Sequence, residues 1–277
     1  MRVLVTGAGG QLGRDVVDAF DGHELVACTR AELDLSDRDS VMQAICSTEP
    51  DAVVHAGAYT AVDAAESDCD GAFRVNALGT RWVAQAARIV GAQVCYLSTD
   101  YVFDGTSPDP YDEWAATNPQ SVYGRSKLGG EHELDPGSII VRTSWVCGAH
   151  GANFVRTMLR LAAERDELRV VADQRGCPTF TADLAGAIRR LVVARQSGTF
   201  HVTNQGPTTW FDFAREILRL GGFSPEKIGP TTTADYGAPA PRPANSVLDN
   251  AALRLAGLPL LPPWQESLER LVKEIAG

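Results

Sequence analysis

The chain lacks basic surplus: 25 Lys and Arg stand against 35 Asp and Glu, a formal net charge of -10. That argues against a protein that coats nucleic acid or anionic membrane by bulk attraction, so an anionic ligand must be held by local arginines and backbone N–H groups. Paired cysteines are also missing. The six present (Cys28, Cys46, Cys69, Cys95, Cys147 and Cys177) include no Cys-x-x-Cys, and several fall in apolar runs such as Gln93–Leu97. Reduced, buried thiols are expected rather than a disulfide framework. His55, His132, His150 and His201 show no zinc spacing and read as core or surface histidines. No apolar stretch approaches a membrane span, and Met1–Val5 run straight into a strand, leaving no room for a signal peptide. We therefore expect a cytoplasmic protein with no membrane or nucleic-acid partner. No internal repeat is present.

What is there is a regular alternation. Short apolar runs at 2–6, 24–28, 52–55, 94–98, 138–142, 168–171 and 199–202 predict strands. Amphipathic stretches at 12–20, 38–49, 64–90, 122–132, 152–164, 182–194, 211–220 and 265–275 predict helices. This is the pattern of a parallel sheet wrapped by helices, and 277 residues leave room for one such unit with an appendage. The expected fold is α/β: a Rossmann-type doubly wound parallel sheet with a smaller C-terminal α/β substrate domain. We expect residues 1–145 plus about 176–203 in the first domain, and about 146–175 plus 204–277 in the second. The Pro- and Thr-rich stretch 229–245 reads as an ordered loop of the second domain.

The sequence Gly7-Ala8-Gly9-Gly10-Gln11-Leu12-Gly13 follows the first strand and opens a helix. In that context Gly7 permits a tight reversal, Gly10 lets the backbone approach a pyrophosphate, and Gly13 allows close packing. The N–H groups of the turn, including those of Gln11 and Leu12, point at the phosphates. The second strand ends Cys28-Thr29-Arg30, with no carboxylate where an NAD-selective site carries its ribose-binding acid. Arg30 suits a 2'-phosphate and so favours NADPH. NADH stays open if Glu32 or Asp34, beside Leu35, reads the ribose.

Tyr123-Gly124-Arg125-Ser126-Lys127 places a phenol and an ammonium on one helix face. A phenol has a pKa near 10, and a neighbouring cation lowers it, which is the tuning of a general acid. Ser98-Thr99-Asp100-Tyr101-Val102-Phe103 follows a predicted strand, so Thr99 emerges at the carboxyl end where its hydroxyl can donate to a substrate carbonyl.

With Ala58–Asp63, Arg142–Val146, Asp173–Thr179 and Arg242–Ser246, these segments resemble the extended short-chain dehydrogenases, and within them the dTDP-4-dehydrorhamnose reductase family, in order along nearly the whole chain. The resemblance implies reduction by NADPH of the C4 ketone of dTDP-4-dehydro-L-rhamnose. Tyr123 would be the acid, Lys127 its tuner and a holder of the nicotinamide ribose, and Thr99 the residue that orients the ketone. It also implies that Asp100, Val102 and Trp145 contact the sugar and that Ala58, Tyr59 and Thr60 line the cofactor channel. Asn76 would belong to a proton relay, while Gln174, Arg175, Arg242 and Asn245 would hold the nucleotide.

There are departures from the family pattern. Cys147 stands where an aromatic residue is frequent. Some members dimerise through a magnesium-bridged carboxylate cluster, for which only Asp15 and Glu274 are counterparts here, so Mg²⁺ is doubtful and a homodimer stays open. Other readings are a related nucleotide 4-ketosugar as substrate, or a non-catalytic NADP-binding subunit resembling the regulatory subunit of methionine adenosyltransferase. A dehydratase is disfavoured because Asp100 is followed by Tyr101 and not by a glutamate.

Overall fold

The structure, a computed structural model, describes residues 1–276. The apolar runs become the strands β1 (Arg2–Thr6), β2 (Glu24–Cys28), β3 (Ala52–His55), β4 (Gln93–Thr99) and β5 (Ile139–Thr143), and Gly198–His201 adds a sixth at one edge. The sheet order is Gly198–His201, β5, β4, β3, β1, β2, with every neighbouring pair parallel. Chain direction across the sheet reverses between β1 and β3, and the crevice at their carboxyl ends is where such sheets take ligands.

The central strands are largely apolar because helices cover both faces. Val3, Val5, Val54 and Val141 meet Val16 of helix Gln11–Ala19 and Ile188 of helix Thr181–Val193. Leu4, Val53 and Val94 meet Val41 and Ile45 of helix Arg38–Thr48 and Val83 of helix Gly79–Val90 on the opposite face. Burial of each such side chain is worth about 1.5–3 kcal/mol, so alternate residues anchor each strand to opposite layers and fix its register.

A second core forms around Val155, Met158, Phe213, Ile217, Trp264 and Leu268. It rests on helices Phe154–Glu164, Trp210–Leu220 and Trp264–Ala276. Leu168–Val171 pairs in parallel with Ile228–Thr231 and does not join the main sheet. Part of the expected Pro-rich loop is thus a strand. Leu253 and Leu261 return to the main core, so the C-terminal stretch serves both.

The single helix expected over 64–90 is broken. Val62–Ala65 and Cys69–Phe73 are separate turns, followed by a π turn at Arg74–Leu78 and then Gly79–Val90. The Asp68 side chain accepts from Gly71 N at 3.1 Å and restarts the helix. Asn76, in the π turn, then makes tertiary contacts at the site; such turns frequently mark functional positions. Among the described residues, no helix is long and apolar enough to cross a membrane.

Candidate active site

The glycine turn is built by close approach. Gly7 has φ +65°, and a Cβ on Gly13 would lie 2.1 Å from the Gly7 carbonyl oxygen, so any side chain there would force the turn open. Gly10 N donates to Gly7 O at 2.9 Å. The Gln11 side chain points away from the crevice, donating to Val146 O at 3.0 Å and accepting from Asn153 Nδ2 at 2.8 Å. Only the backbones of Gln11 and partly buried Leu12 are left to face a ligand. Beside the turn, Gly7, Arg30, Leu33, Asp34, Leu35, Gly57, Ala58, Tyr59 and Val75 line a cavity of about 200 Å³. Those residues suit a dinucleotide: a backbone cradle that a Cβ would fill, apolar walls and one cation. The Arg30 side chain is 84% exposed, with Asp34 at 3.8 Å. Asp34 itself accepts from Ser36 N and Oγ, which lower its pKa. Glu32 is turned back onto Thr29 N and Oγ1. Thr60 is exposed at the end of the 57–60 loop.

The Tyr-x-x-x-Lys helix, Val122–Glu131, starts where Ser121 accepts from Gly124 N at 3.0 Å. Half-buried Tyr123 lies edge-on to Tyr101, with ring centroids 5.6 Å apart. Burial pushes its phenol up to about 12, with the neighbouring Thr99 hydroxyl opposing the shift and the charge of Asp100 adding to it. The expected lowering by Lys127 is not what this structure provides. Lys127 Nζ donates to Leu97 O at 2.6 Å and sits 4.0 Å from the Tyr96 ring centroid. Burial brings it down to about 7 against the opposing charge of Glu131. The four-residue spacing fixes the face, whereas the backbone carbonyl at the end of β4 fixes where the long side chain ends.

Thr99 ends β4 opposite Thr143 of β5. Its hydroxyl donates to Asp100 Oδ1 at 3.0 Å and accepts from Tyr101 N. Asp100 is 2% exposed, and its Oδ2 has no hydrogen-bond partner. Burial pushes Asp100 up to about 6, with the Thr99 hydrogen bond and the neighbouring Ser246 hydroxyl opposing the shift. Ser246 brings the C-terminal segment to the site. Nothing in the residue types singled it out, although it closes the Arg242–Ser246 motif.

Because the folded pKa of Asp100 lies above its unfolded value, its burial costs stability as pH rises from about 4 through about 6, and each pH unit crossed in that window removes at most roughly 1.4 kcal/mol. Asp100→Asn should therefore gain melting temperature over the parent protein as pH climbs through that window, with the gap closing below it. Thermal melts of the two proteins from pH 4 to 8 check this, and a gap independent of pH would contradict it.

Several expected contacts are rearranged. Val102 is 0% exposed, packed with Phe103, Tyr111 and Leu248, so its side chain supports the loop and does not line the crevice. Trp145 follows β5 with φ +47°, an uncommon backbone state for a bulky residue. Its ring stacks on Trp210 with centroids 3.6 Å apart. Cys147 is buried in the second core, where burial pushes its thiol up to about 12. Gln174, Arg175 and Asn245 line one cavity of about 380 Å³ together with Gly105, Ser107 and Thr209. Arg242 is elsewhere: its Nη2 holds both Asp63 oxygens at 2.9 Å, so two expected anion-binding arginines are not brought together. Asp15 lies 3.9 Å from His150, and Glu274 is exposed on the C-terminal helix.

Asn76 clamps the cofactor loop to the Tyr-x-x-x-Lys helix. Its Oδ1 accepts from Tyr59 N at 2.8 Å, while Nδ2 donates to Tyr59 O at 3.0 Å and Ser126 Oγ at 2.9 Å. Beneath that helix, Arg142 holds Glu131 through two bonds of 2.9 and 2.7 Å, and Ser98 donates to the same carboxylate. A sequence signal for this pair existed: Arg142 breaks an apolar strand, and Glu131 falls one turn after Lys127.

Fold and site define a class, the extended short-chain dehydrogenases, in which a hydroxyl at the end of β4 meets a Tyr-x-x-x-Lys helix beside the glycine turn. The chain belongs to the RmlD substrate binding domain family, whose model matches residues 1–276. It is 44% identical over 287 residues to a dTDP-4-dehydrorhamnose reductase of Streptomyces griseus, covering 100% of this chain and 94% of that protein. Identity is 43% over 274 residues to a dTDP-4-keto-6-deoxy-D-glucose reductase of Streptomyces niveus, covering 96% and 95%. Among solved structures, dTDP-4-dehydrorhamnose reductase from Bacillus anthracis in complex with NADP matches with a TM-score of 0.96 and 41% identity over 99% of each chain.

Proposed function

We propose that the protein is an NADPH-dependent reductase that converts the C4 ketone of dTDP-4-dehydro-L-rhamnose into the alcohol of dTDP-L-rhamnose. The observation that carries this is the placement of Tyr123, on the Tyr-x-x-x-Lys helix, beside Thr99 at the carboxyl end of β4 and next to the glycine cradle. When bound in that cradle, the cofactor supplies the hydride. Thr99 orients the ketone oxygen, and Tyr123, fully protonated at neutral pH, gives it a proton as negative charge develops. Asp100 and Ser246 fix the sugar hydroxyls, and Trp145 forms the wall behind the ring. Lys127 anchors the cofactor ribose from the Leu97 carbonyl. The cofactor set is Gly7, Gly10, Gly13, Arg30, Asp34, Leu35 and the 58–60 loop.

We also propose that the second core is a substrate domain, holding the nucleotide at Gln174, Arg175 and Asn245. Arg175 lines that cavity in a protein whose net charge opposes a diphosphate. Losing one charge-assisted contact costs about 1.5–3 kcal/mol. Arg175→Ala should therefore weaken dTDP roughly 10- to 100-fold and leave NADPH affinity unchanged, as measured by calorimetry with each ligand; undiminished dTDP affinity would remove Arg175 from the site.

Product identification after turnover of purified protein with NADPH or NADH and a panel of nucleotide 4-ketosugars tests the whole reading. A different preferred ketosugar would move the assignment to a sister reductase, a reading favoured by the Streptomyces niveus relative. Absence of turnover with every ketosugar would favour a non-catalytic subunit.

A further inference from the structure

Under the site a chain of polar groups joins the glycine turn to the catalytic helix. Gly57 N donates to Thr6 Oγ1 at 3.1 Å, and Thr6 Oγ1 lies 2.8 Å from His55 Nδ1. His55 Nε2 lies 3.2 Å from Thr80 Oγ1, which donates to the Asn76 carbonyl at 2.7 Å. His55 and both hydroxyls are buried. At one end, Gly57 sits against the turn so closely that a Cβ on Gly7 would lie 2.7 Å from Gly57 Cα. At the other, Asn76 clamps Tyr59 and Ser126, and Ser126 donates to the Tyr123 carbonyl at 2.8 Å.

Counting hydrogens fixes the direction of this chain. Thr80 has one hydroxyl hydrogen, and it goes to Asn76 O, so Thr80 can only accept from the imidazole. The imidazole hydrogen is therefore on Nε2. Nδ1 then accepts the Thr6 hydroxyl hydrogen, and the Thr6 oxygen remains free to accept from Gly57 N. With the hydrogen on Nδ1, the Thr6 hydroxyl would lose its acceptor, and the one Thr80 hydrogen could not serve both His55 Nε2 and the Asn76 carbonyl. Burial and the charge of Lys127 push His55 down to about 3, in keeping with one neutral form.

We infer that His55, as the neutral Nε2–H tautomer, is a positioning residue that sets the cofactor turn and the catalytic helix relative to one another. Its ring is a rigid spacer with an acceptor toward the turn and a donor toward the helix. Reacting groups held by such a spacer lose rate steeply when displaced by a fraction of an ångström. The kinetic part rests on Tyr123 being the acid of the proposed reaction, whereas the tautomer does not depend on it.

Two measurements on the full chain test the inference. Nitrogen-15 NMR of labelled histidines at neutral pH should show one Nε2–H resonance that disappears in His55→Asn. An Nδ1–H form, or a mixture of tautomers, would overturn the wiring whatever the reaction proves to be. Kinetically, His55→Asn keeps an acceptor for Thr6 but loses the donor to Thr80, so kcat should fall roughly 10- to 100-fold, more than the KM for NADPH rises. His55→Gln reaches Thr80 but offers Thr6 no acceptor, so the rise in NADPH KM should exceed its loss of kcat. Identical kcat and KM effects in the two variants, or none, would reduce His55 to a core filler. Should no ketosugar be turned over, fluorescence titration of NADPH into both variants still reads the arm toward the turn, with weaker binding expected in the glutamine variant alone.

Discussion

Replacing Tyr123 by Phe is expected to lower kcat by ~10²- to 10⁴-fold, the usual worth of a general acid, with little change in NADPH affinity or melting temperature. Phenylalanine keeps the ring that packs edge-on against Tyr101 and loses only the hydroxyl. Thr99 is not orphaned by the change, because its own hydrogen goes to Asp100 Oδ1. The effect should therefore fall on proton delivery and spare folding. Because burial holds the phenol near 12, the proton is present throughout neutral pH, and no alkaline loss of activity from Tyr123 itself is expected below that range. Steady-state kinetics with identified product, alongside NADPH titration of the variant, measure this, and near-normal turnover would remove Tyr123 from the chemistry.

The largest expected loss of stability comes from the pair beneath the same helix. The Arg142 and Glu131 side chains are 8% and 4% exposed, and Glu131 also accepts the Ser98 hydroxyl. Glu131→Met leaves a guanidinium buried without its counterion, which costs about 3–5 kcal/mol. For a chain of this size that corresponds to a fall in Tm on the order of 10 °C. The penalty comes from the stranded charge and not from the attraction lost, so replacing both residues by Met should recover much of it and leave the double variant more stable than either single one. Thermal melts of the four proteins complete the cycle. Additive losses, with the double variant least stable, would mean that the pair holds the helix by direct attraction.

Tyr123 and the Arg142–Glu131 pair differ in how readable they were. Tyr123 announces itself through a local spacing, because a four-residue interval on a helix puts two side chains on one face regardless of the rest of the protein. The main-sheet strands were legible for a similar reason: both faces are covered, so each reads as a short apolar run, and their limits fall within a residue or so of expectation. The glycine turn was legible because a positive φ together with the approach of Gly57 at Gly7, and the contact with Gly7 O at Gly13, leave no room for a side chain. Local sterics and periodicity thus determined the sheet, the turn and the pairing of Tyr123 with Lys127 on one helix face.

Tertiary structure decided the partners. Lys127 ends on a β4 carbonyl, Arg242 on Asp63, and Val102 inside an aromatic cluster. The expected helix over 64–90 breaks where Asp68 caps a new turn and Asn76 finds Tyr59. The state of Asp100 depends on burial and on Ser246, far along the chain. The physical reason is that hydrogen-bond partners and desolvation are set by groups distant in sequence and close in space. Periodicity carries no record of them, so the sequence determined which chemical groups the site contains, and only the packing of the two cores decided what each one touches and which protonation state it holds.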